Sequence, residues 1–464
     1  MAQSPEAVSR KHRRVPWWGW LLRGIGCLFG LLLTIFAGLL IFYFAVVAPR
    51  ERARQAEVGR KAAAFARLNG PARQLAIYDA FVAAVDEHYY DQTFAGFDWP
   101  RLKREWRPRA AAARNEFDLY FSIFLPMSQA FPVSHIGASP PERPQKSSGA
   151  SPASRTISDE DVGAQLLWGG IRRGKGMIGL VGEVLPGSPA AKAGIQPGSV
   201  IQTAKLTSDG RGSGRIFAKL FCLTPAEAHL LEHGSTKLNV PLAAHACQAL
   251  PARQMTVTYD FAYQGARPEI VVRRLATGAL YIRFDAFQHS ILAKVVAALR
   301  TADERGVIID LRFNHGGYVD PLLDALFPAS RPVYRRRLAG VLSTVSTPME
   351  GFRYLGPLVL LTGPSSASAA EVTAAVVKSQ HRGPIVGRAT NGSVLGADYF
   401  DLPDGGKVQV PVESIETLDG RPLEGAGIMP DIEIYPTLAE LRAGKDPALE
   451  RAEAILGRAA AIRH

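Results

Sequence analysis

Three serines stand together in the stretch GPSSASAAEV, residues 363–372, between a hydrophobic run and a helical segment. Backbone N–H groups at the start of a helix have no partner within the helix, and the helix dipole favours negative charge there. A serine at such a turn suits nucleophilic attack, which places negative charge on the attacked carbonyl oxygen. Because Ser is also a common helix N-cap, this stretch alone does not establish catalysis.

An alternating pattern of short hydrophobic runs and helical segments surrounds these serines. From Gly278 onward, runs such as GVIIDLRF and PLVLLTG alternate with helical stretches such as ILAKVVAALRTADE, and a hairpin follows that turns at residues 404–406. Alternation of this kind predicts a mostly parallel sheet with helices on its faces. The turn NHGG, which ends one of these runs, carries two glycines, as a tight turn alone would require.

The chain before this sheet divides into three parts. Residues 74–131 carry aromatic and apolar residues at helical spacing, which predicts small packed helices. Residues 138–156 are rich in Pro and Ser and are typical of a linker. Residues 163–274 show short strands and glycine turns, and the segment 207–250 within them is interpreted as an insertion.

The net charge of +12 is concentrated at the N-terminus, where residues 1–73 hold twelve Lys or Arg and three acidic residues. These charges flank an uncharged run, Gly24–Val47, which as a helix would be about 36 Å long, enough to cross a hydrocarbon core of about 30 Å. The pattern predicts one uncleaved transmembrane anchor at the cell inner membrane, with the catalytic part on the periplasmic side. A buried helix of a soluble domain is the alternative. The basic residues do not form the patch on a folded domain that nucleic-acid binding requires.

Three cysteines are present. Cys27 lies inside the uncharged run. Cys222 and Cys247 either pair in an oxidising compartment or stay reduced, and the spacing leaves both open. The sequence shows no metal-ligand spacing, and no metal or cofactor is predicted.

Four motifs occur in order, and together they resemble the catalytic domain of the tail-specific, or C-terminal processing, serine peptidases (the S41-like family): GVIIDLRFNHGG, SSASAAE, GRATNGSVLG and GAGIMPDIEI. The resemblance covers roughly residues 74–440. It implies a ClpP/crotonase-like α/β sheet domain with Ser368 as nucleophile. It also implies an oxyanion hole formed by the N–H of Ala369 and that of Gly316 or Gly317.

The general base is not the lysine that the tail-specific branch uses, because this sequence has Asn391-Gly392-Ser393 where that branch has its lysine. The tricorn-core branch instead uses a histidine preceded by serine and a glutamate near the end of the sheet domain. FPVSHIGA supplies Ser134 and His135, and LEGAGIMPD supplies Glu424. A histidine has an unperturbed pKa of about 6.5 and can accept the serine proton, and a carboxylate can orient it.

The stretch GMIGLVGEVLPGSPAAKAG resembles a PDZ-like domain. Its loop would hold the C-terminal carboxylate of a peptide on successive N–H groups. The residues implied are Ile178, Gly179 and Leu180, with assistance from Lys175. The alternative is a degenerate domain that acts as a lid or spacer.

The predicted fold is therefore an α/β peptidase domain with an N-terminal helical region, a PDZ-like β domain and one transmembrane helix. The predicted segments are a basic tail (1–23), an anchor (24–47), a helical region (48–137), a linker (138–162), the PDZ-like domain (163–274), the catalytic domain (275–440) and a C-terminal helix (441–464).

The predicted function is that of a membrane-anchored serine endopeptidase acting on proteins or peptides through an acyl-enzyme. The alternative is a catalytically inactive PDZ-containing scaffold on a degenerate peptidase fold. The sequence does not determine the oligomeric state.

Overall fold

The computed structural model of the chain describes residues 35–36, 38–141, 164–173, 176–208, 213–220, 253–260 and 269–461. The chain forms two compact units, Met1–Ala76 and Ile77–His464. The described part of the first unit holds a π-helical segment, Tyr43–Val47, and helix α1, Ala48–Ala66. Helix α2 comprises Gly70–His88.

The fold prediction is wrong in its transmembrane helix, because among the described residues no helix combines the length and the apolar character needed to cross a membrane. Residues 24–34 and 37 of the predicted span lie outside the described residues. Residues 38–47 are helical, and the charged helix α1 follows them directly. No observation tests the predicted membrane location, which stays a prediction.

A six-stranded sheet forms the centre of the second unit, and its strand order is β16-β13-β12-β9-β8-β7. Neighbouring strands are parallel, except that β7 and β8 are antiparallel. The strands are β7 (Ile270–Arg274), β8 (Leu280–Phe284), β9 (Val307–Asp310), β12 (Leu358–Thr362), β13 (Ile385–Gly387) and β16 (Ile432–Glu433). This is the predicted α/β arrangement.

Helices cover both faces of this sheet, which is why its central strands are apolar throughout. Leu358 and Leu360 pack under α7 (His289–Leu299), α8 (Asp320–Leu326) and α9 (Ala369–Ser379). Val359 and Leu361 point to the other face, where they pack against α11 (Pro447–Ala461). A short helix, α10 (Leu438–Arg442), precedes α11.

A second sheet joins the front of the second unit to its rear. Strand β1 (Gly137–Ser139) pairs antiparallel with β15 (Lys407–Glu416), with Gly137 opposite Gln409. Beyond β15 lie β10 (Pro332–Leu338) and β11 (Val341–Ser346), and β14 (Gly396–Asp401) forms the predicted hairpin with β15. Because β1 begins two residues after His135, its pairing with β15 anchors that histidine beside the sheet domain.

The helices before β1 pack around buried aromatic side chains, including Phe81, Trp99 and Phe124. They are α3 (Trp99–Ala111), α4 (Glu116–Asp118), a π-helical segment (Leu119–Phe124) and α5 (Leu125–Ala130). The Tyr120 hydroxyl donates to Asp404 in the β14–β15 hairpin at 3.0 Å. This contact ties the helical region to the second sheet.

A third, antiparallel sheet has the order β2-β3-β4-β5-β6. Its strands are β2 (Ala164–Arg173), β3 (Gly176–Val184), β4 (Val200–Ser208), β5 (Ser213–Leu220) and β6 (Arg253–Asp260). A short helix, α6 (Pro189–Lys192), lies between β3 and β4. Cys222 and Cys247 lie outside the described residues.

Candidate active site

Ser366 and Ser368 have different surroundings in the turn between β12 and α9. Ser366 is fully buried; its Oγ donates to Leu311 O at 2.7 Å and accepts from Gly363 N at 3.0 Å. Ser366 therefore holds the turn against the end of β9. Ser368 comes directly before the first residue of α9 and has φ +54° and ψ −119°, a conformation that non-glycine residues adopt rarely.

The glycine turn NHGG packs directly against Ser368. A Cβ atom on Gly316 would lie 2.5 Å from Ser368 Cβ and 3.0 Å from Ser368 Oγ. Gly316 also has φ +98°, so both the backbone conformation and the available space require glycine. The predicted proximity of this turn to Ser368 is observed.

The N–H groups near Ser368 differ in availability. The N–H of Gly316 donates to Asn314 Oδ1 at 2.9 Å, so it is already engaged. The N–H groups of Gly317 and Ala369 have no hydrogen-bond acceptor within the described part of the chain. Of the two predicted glycine donors, Gly317 is therefore the one with an N–H left for an oxyanion.

Asn314 is a residue that sequence reasoning missed. Its side chain is buried and bridges the turn, since Nδ2 donates to Phe284 O at 2.9 Å while Oδ1 accepts from Gly316. Its own carbonyl accepts from Ala367 N at 3.0 Å, which links the glycine turn to the serine turn.

His135, Ser134 and Glu424 meet, although the serine and the glutamate are 290 positions apart. His135 Nδ1 lies 2.5 Å from Ser134 Oγ. Ser134 Oγ donates to Glu424 Oε2 at 3.1 Å, and Ser134 N donates to Glu424 Oε1 at 2.7 Å. With its hydroxyl donated to the carboxylate, Ser134 Oγ can accept from Nδ1–H of His135, and in that tautomer Nε2 is the proton acceptor.

The protonation of His135 follows from its surroundings. Burial lowers the pKa of His135, and the negative charge of Glu424 opposes this effect in part. The imidazole is thus neutral at neutral pH, as a general base must be. His135 also has φ +61°, a conformation that histidine tolerates better than most residues.

Residues 393 and 394 connect the imidazole group to the serine turn. The N–H of Val394 donates to Glu424 Oε2 at 2.7 Å, and the carbonyl of Ser393 accepts from Ser368 N at 2.7 Å. The structure therefore brings the rear-sheet serine and the front-half histidine to one region. Within the described residues, no hydrogen bond joins Ser368 to His135 directly.

Lys378 is engaged away from the His135–Ser134–Glu424 group, and the backbone of His315 belongs to the glycine turn. Lys378 Nζ donates to Met429 O at 2.6 Å and pairs with Asp431 at 3.1 Å. His315 N donates to Asp285 O at 3.1 Å, which fixes the start of the glycine turn.

The residues predicted to hold a peptide carboxylate lie in a strand of the third sheet. Ile178, Gly179 and Leu180 are in the middle of β3 and have partners in both β2 and β4. Backbone N–H groups in a strand that is paired on both sides face the neighbouring strands, so they do not form an open carboxylate-binding loop. Lys175 lies outside the described residues.

Comparison with known proteins gives two family matches. The sequence model of peptidase family S41 matches residues 278–434, which include Ser368, the glycine turn and Glu424. The tricorn protease C1 domain matches residues 72–121, in the helical region.

Among curated proteins, the chain is 28% identical over 290 residues to the carboxyl-terminal-processing protease of Synechocystis, a match that covers 60% of this chain and 65% of that protein. It is 27% identical over 375 residues to the chloroplastic C-terminal processing peptidase of Tetradesmus obliquus, which covers 76% of this chain and 75% of that protein. The chain thus spans about two thirds to three quarters of the length of these relatives.

A solved structure, the photosystem II D1 C-terminal processing protease, superposes with a TM-score of 0.51 at 20% identity, covering 83% of this chain and 97% of that one. This likeness supports the fold. Together with the two family matches and the related processing proteases, it confirms the predicted resemblance to the tail-specific and tricorn-like serine peptidases, and residues 278–434 are similar to peptidase family S41.

Proposed function

We propose that this chain is a serine peptidase that hydrolyses peptide bonds of proteins or peptides through an acyl-enzyme. The observation that carries the proposal is the linked set His135–Ser134–Glu424, which supplies a neutral, oriented imidazole in the same region as a strained serine. A serine hydroxyl is a weak nucleophile at neutral pH, so a base of this kind is what Ser368 requires.

The proposed reaction has two halves. Ser368 Oγ attacks the peptide carbonyl while His135 Nε2 takes its proton, and the N–H groups of Ala369 and Gly317 stabilise the oxyanion. His135 then gives the proton to the leaving amine, and the C–N bond breaks. A water molecule, deprotonated by the same imidazole, releases the acid and regenerates Ser368.

Glu424 and Ser134 act on His135 and not on the substrate. The carboxylate keeps the Ser134 hydroxyl turned toward itself, so Nδ1 keeps its proton and Nε2 stays available. When His135 becomes positively charged in the transition state, Glu424 offsets that charge.

Labelling with a fluorophosphonate, combined with hydrolysis of a peptide mixture, tests this function. We expect the intact chain to be labelled and active, Ser368→Ala to lose both properties, and His135→Ala to lose about 10²- to 10⁴-fold in rate. Ser365→Ala is the matched control and should be labelled normally. Labelling that survives Ser368→Ala would exclude this nucleophile, and an intact chain that is folded but neither labelled nor active would favour the catalytically inactive alternative.

A further inference from the structure

Glu371, the third residue of α9, is a buried carboxylate with no role in the proposed reaction, and none of its surface is exposed. Its Oε1 accepts from Thr390 Oγ1 and from Gly392 N, each at 2.6 Å. Its Oε2 accepts from Ser393 N at 2.7 Å and from Ser368 N at 3.2 Å. A carboxylate is rarely buried without such compensation, so four donors on two oxygens indicate an arrangement built around this group.

The electrostatics of Glu371 agree with this description. Burial raises the pKa of Glu371, and the hydrogen bonds from Thr390, Gly392, Ser393 and Ser368 oppose the rise. Because every contact is made with a donor, each of them favours the ionised form.

The segment 392–394 contacts two carboxylates at once. The N–H groups of Gly392 and Ser393 donate to Glu371, and the next N–H, that of Val394, donates to Glu424 at 2.7 Å. The carbonyl of Ser393 accepts from Ser368 N at 2.7 Å. Three consecutive residues therefore touch both the serine turn and the carboxylate that orients His135.

We propose that Glu371 is a positioning residue of the peptidase site: it holds the segment 392–394 against the start of α9 and thereby sets the position of the Glu424–Ser134–His135 group relative to Ser368. This inference rests on the proposed function. In this proposal the segment acts through its backbone N–H and C=O groups. The Ser393 hydroxyl does not take part, since it donates to Asn391 Oδ1 at 2.5 Å. The position that holds a lysine base in the tail-specific branch thus serves here as a spacer between nucleophile and base.

Glu371→Gln tests the inference because it preserves the shape of the side chain. The new amide group replaces one oxygen that accepts two hydrogen bonds, and its own hydrogens oppose the N–H groups that it meets. We expect kcat to fall about 10- to 100-fold, since misplacement of reacting groups by about 1 Å has effects of this size. KM should stay within about twofold, because Glu371 contacts no substrate.

Asp404→Asn is the matched control. Asp404 also accepts from a hydroxyl and a backbone N–H, those of Tyr120 and Gly406, and burial also raises its pKa. It lies in the β14–β15 hairpin. Among the described residues, no hydrogen bond joins it to the segment 392–394. Its substitution should lower stability with kcat retained.

A second measurement is independent of catalysis. Hydrogen exchange should become faster in Glu371→Gln than in Asp404→Asn for two separate peptides, one containing residues 390–396 and the other residues 131–137. Faster exchange in both peptides supports the inference even if the intact chain proves inactive. Inactivity of the intact chain would contradict only the proposed function. Unchanged kcat in an active, folded Glu371→Gln protein, or exchange altered in neither peptide, overturns the inference.

If Glu371→Gln does not fold, Thr390→Val and Thr390→Ser replace it in the same comparison. The first removes one donor to Glu371 and the second keeps it. A lower kcat in Thr390→Val that is restored in Thr390→Ser supports the positioning role. Equal kcat and equal exchange in the two variants contradict it.

Discussion

At the scale of single residues, the imidazole of His135 depends on two opposing effects. Burial lowers its pKa, and the charge of Glu424 opposes that shift. Ser134 Oγ lies between His135 Nδ1 and the Glu424 carboxylate, to which it donates. The reactivity of the base is therefore set by a residue that contacts it only through another side chain.

Glu424→Gln is predicted to change both the height and the position of the pH–rate profile. A general base works when it is neutral, so the acid limb of kcat/KM in the intact chain should lie below about pH 6.5. Removal of the Glu424 charge lowers the pKa of His135 further, which moves the acid limb to lower pH. The loss of orientation should reduce the plateau about 10²-fold or more.

The measurement is kcat/KM against pH for the intact chain, Glu424→Gln and the control Glu453→Gln, whose carboxylate accepts from Thr277 on the far face of the sheet. The control should reproduce the profile of the intact chain. An acid limb that moves to higher pH in Glu424→Gln, or an unchanged plateau, would contradict the assigned role.

At the scale of elements, two tight turns meet at the ends of parallel strands. The serine turn follows β12 and the glycine turn follows β9, and these strands are neighbours in the sheet. Carboxyl ends of adjacent parallel strands lie at one edge, which explains why residues some fifty positions apart form one site. The close approach of Gly316 to Ser368 is a consequence of this topology.

Gly316→Ala is predicted to remove activity and to lower stability, because its Cβ would overlap Ser368 in a backbone conformation that already disfavours a side chain. Gly340→Ala is the matched control, since Gly340 also has positive φ, +78°, but its Cβ would have no neighbour within 4 Å. Left-handed strain alone costs about 1–2 kcal/mol.

We expect Gly340→Ala to lose about that amount in urea unfolding while fluorophosphonate labelling stays normal. Gly316→Ala should lose more stability, and its labelling rate should fall about 10²-fold or more, as for the loss of an oxyanion contact. Equal labelling rates in the two variants would show that the glycine turn does not form part of the site.

At the scale of the whole second unit, a partly buried ion-pair group joins the end of β9 to the start of α11. Arg312 Nη2 donates to Asp310 Oδ2 at 2.6 Å and to Asp446 Oδ2 at 2.7 Å. Burial by itself raises the pKa of Asp310, but the charge and hydrogen bonds of Arg312 hold that pKa below its ordinary value. This stabilisation is present above pH about 3.9 and is lost as the pH falls through the lower pKa of the folded state.

Arg312→Ala is predicted to lower the free energy of unfolding by about 3–5 kcal/mol, because it leaves the buried carboxylate of Asp310 without its positive partner. Arg101→Ala removes an exposed pair with Glu105 on α3 and serves as control, with an unfolding midpoint close to that of the intact chain. Urea unfolding at neutral pH distinguishes the two. Equal midpoints would mean that the group does not stabilise the unit.

The parallel sheet, the hairpin and the two turns followed from the sequence by itself, because hydrophobic periodicity and turn residues act over short stretches of chain. The choice of Ser368 among the three serines, and its grouping with His135 and Glu424, came from resemblance to a family. The predicted transmembrane helix was wrong, because no helix of the described residues is long and apolar enough to cross a membrane.

Tertiary structure alone decided which hydroxyl, N–H and carboxylate groups have hydrogen-bond partners. Ser366 and Ser368 are near neighbours with the same chemistry, and burial of Ser366 with its bonds to Leu311 and Gly363 separates their roles. Gly316 and Gly317 differ because the Asn314 side chain takes one N–H. The spacing from Ser368 to Glu371 fits a helix capping box, but the donors from residues 390–393 come from a distant segment. Hydrogen bonds between remote segments depend on packing, so a local pattern cannot reveal them.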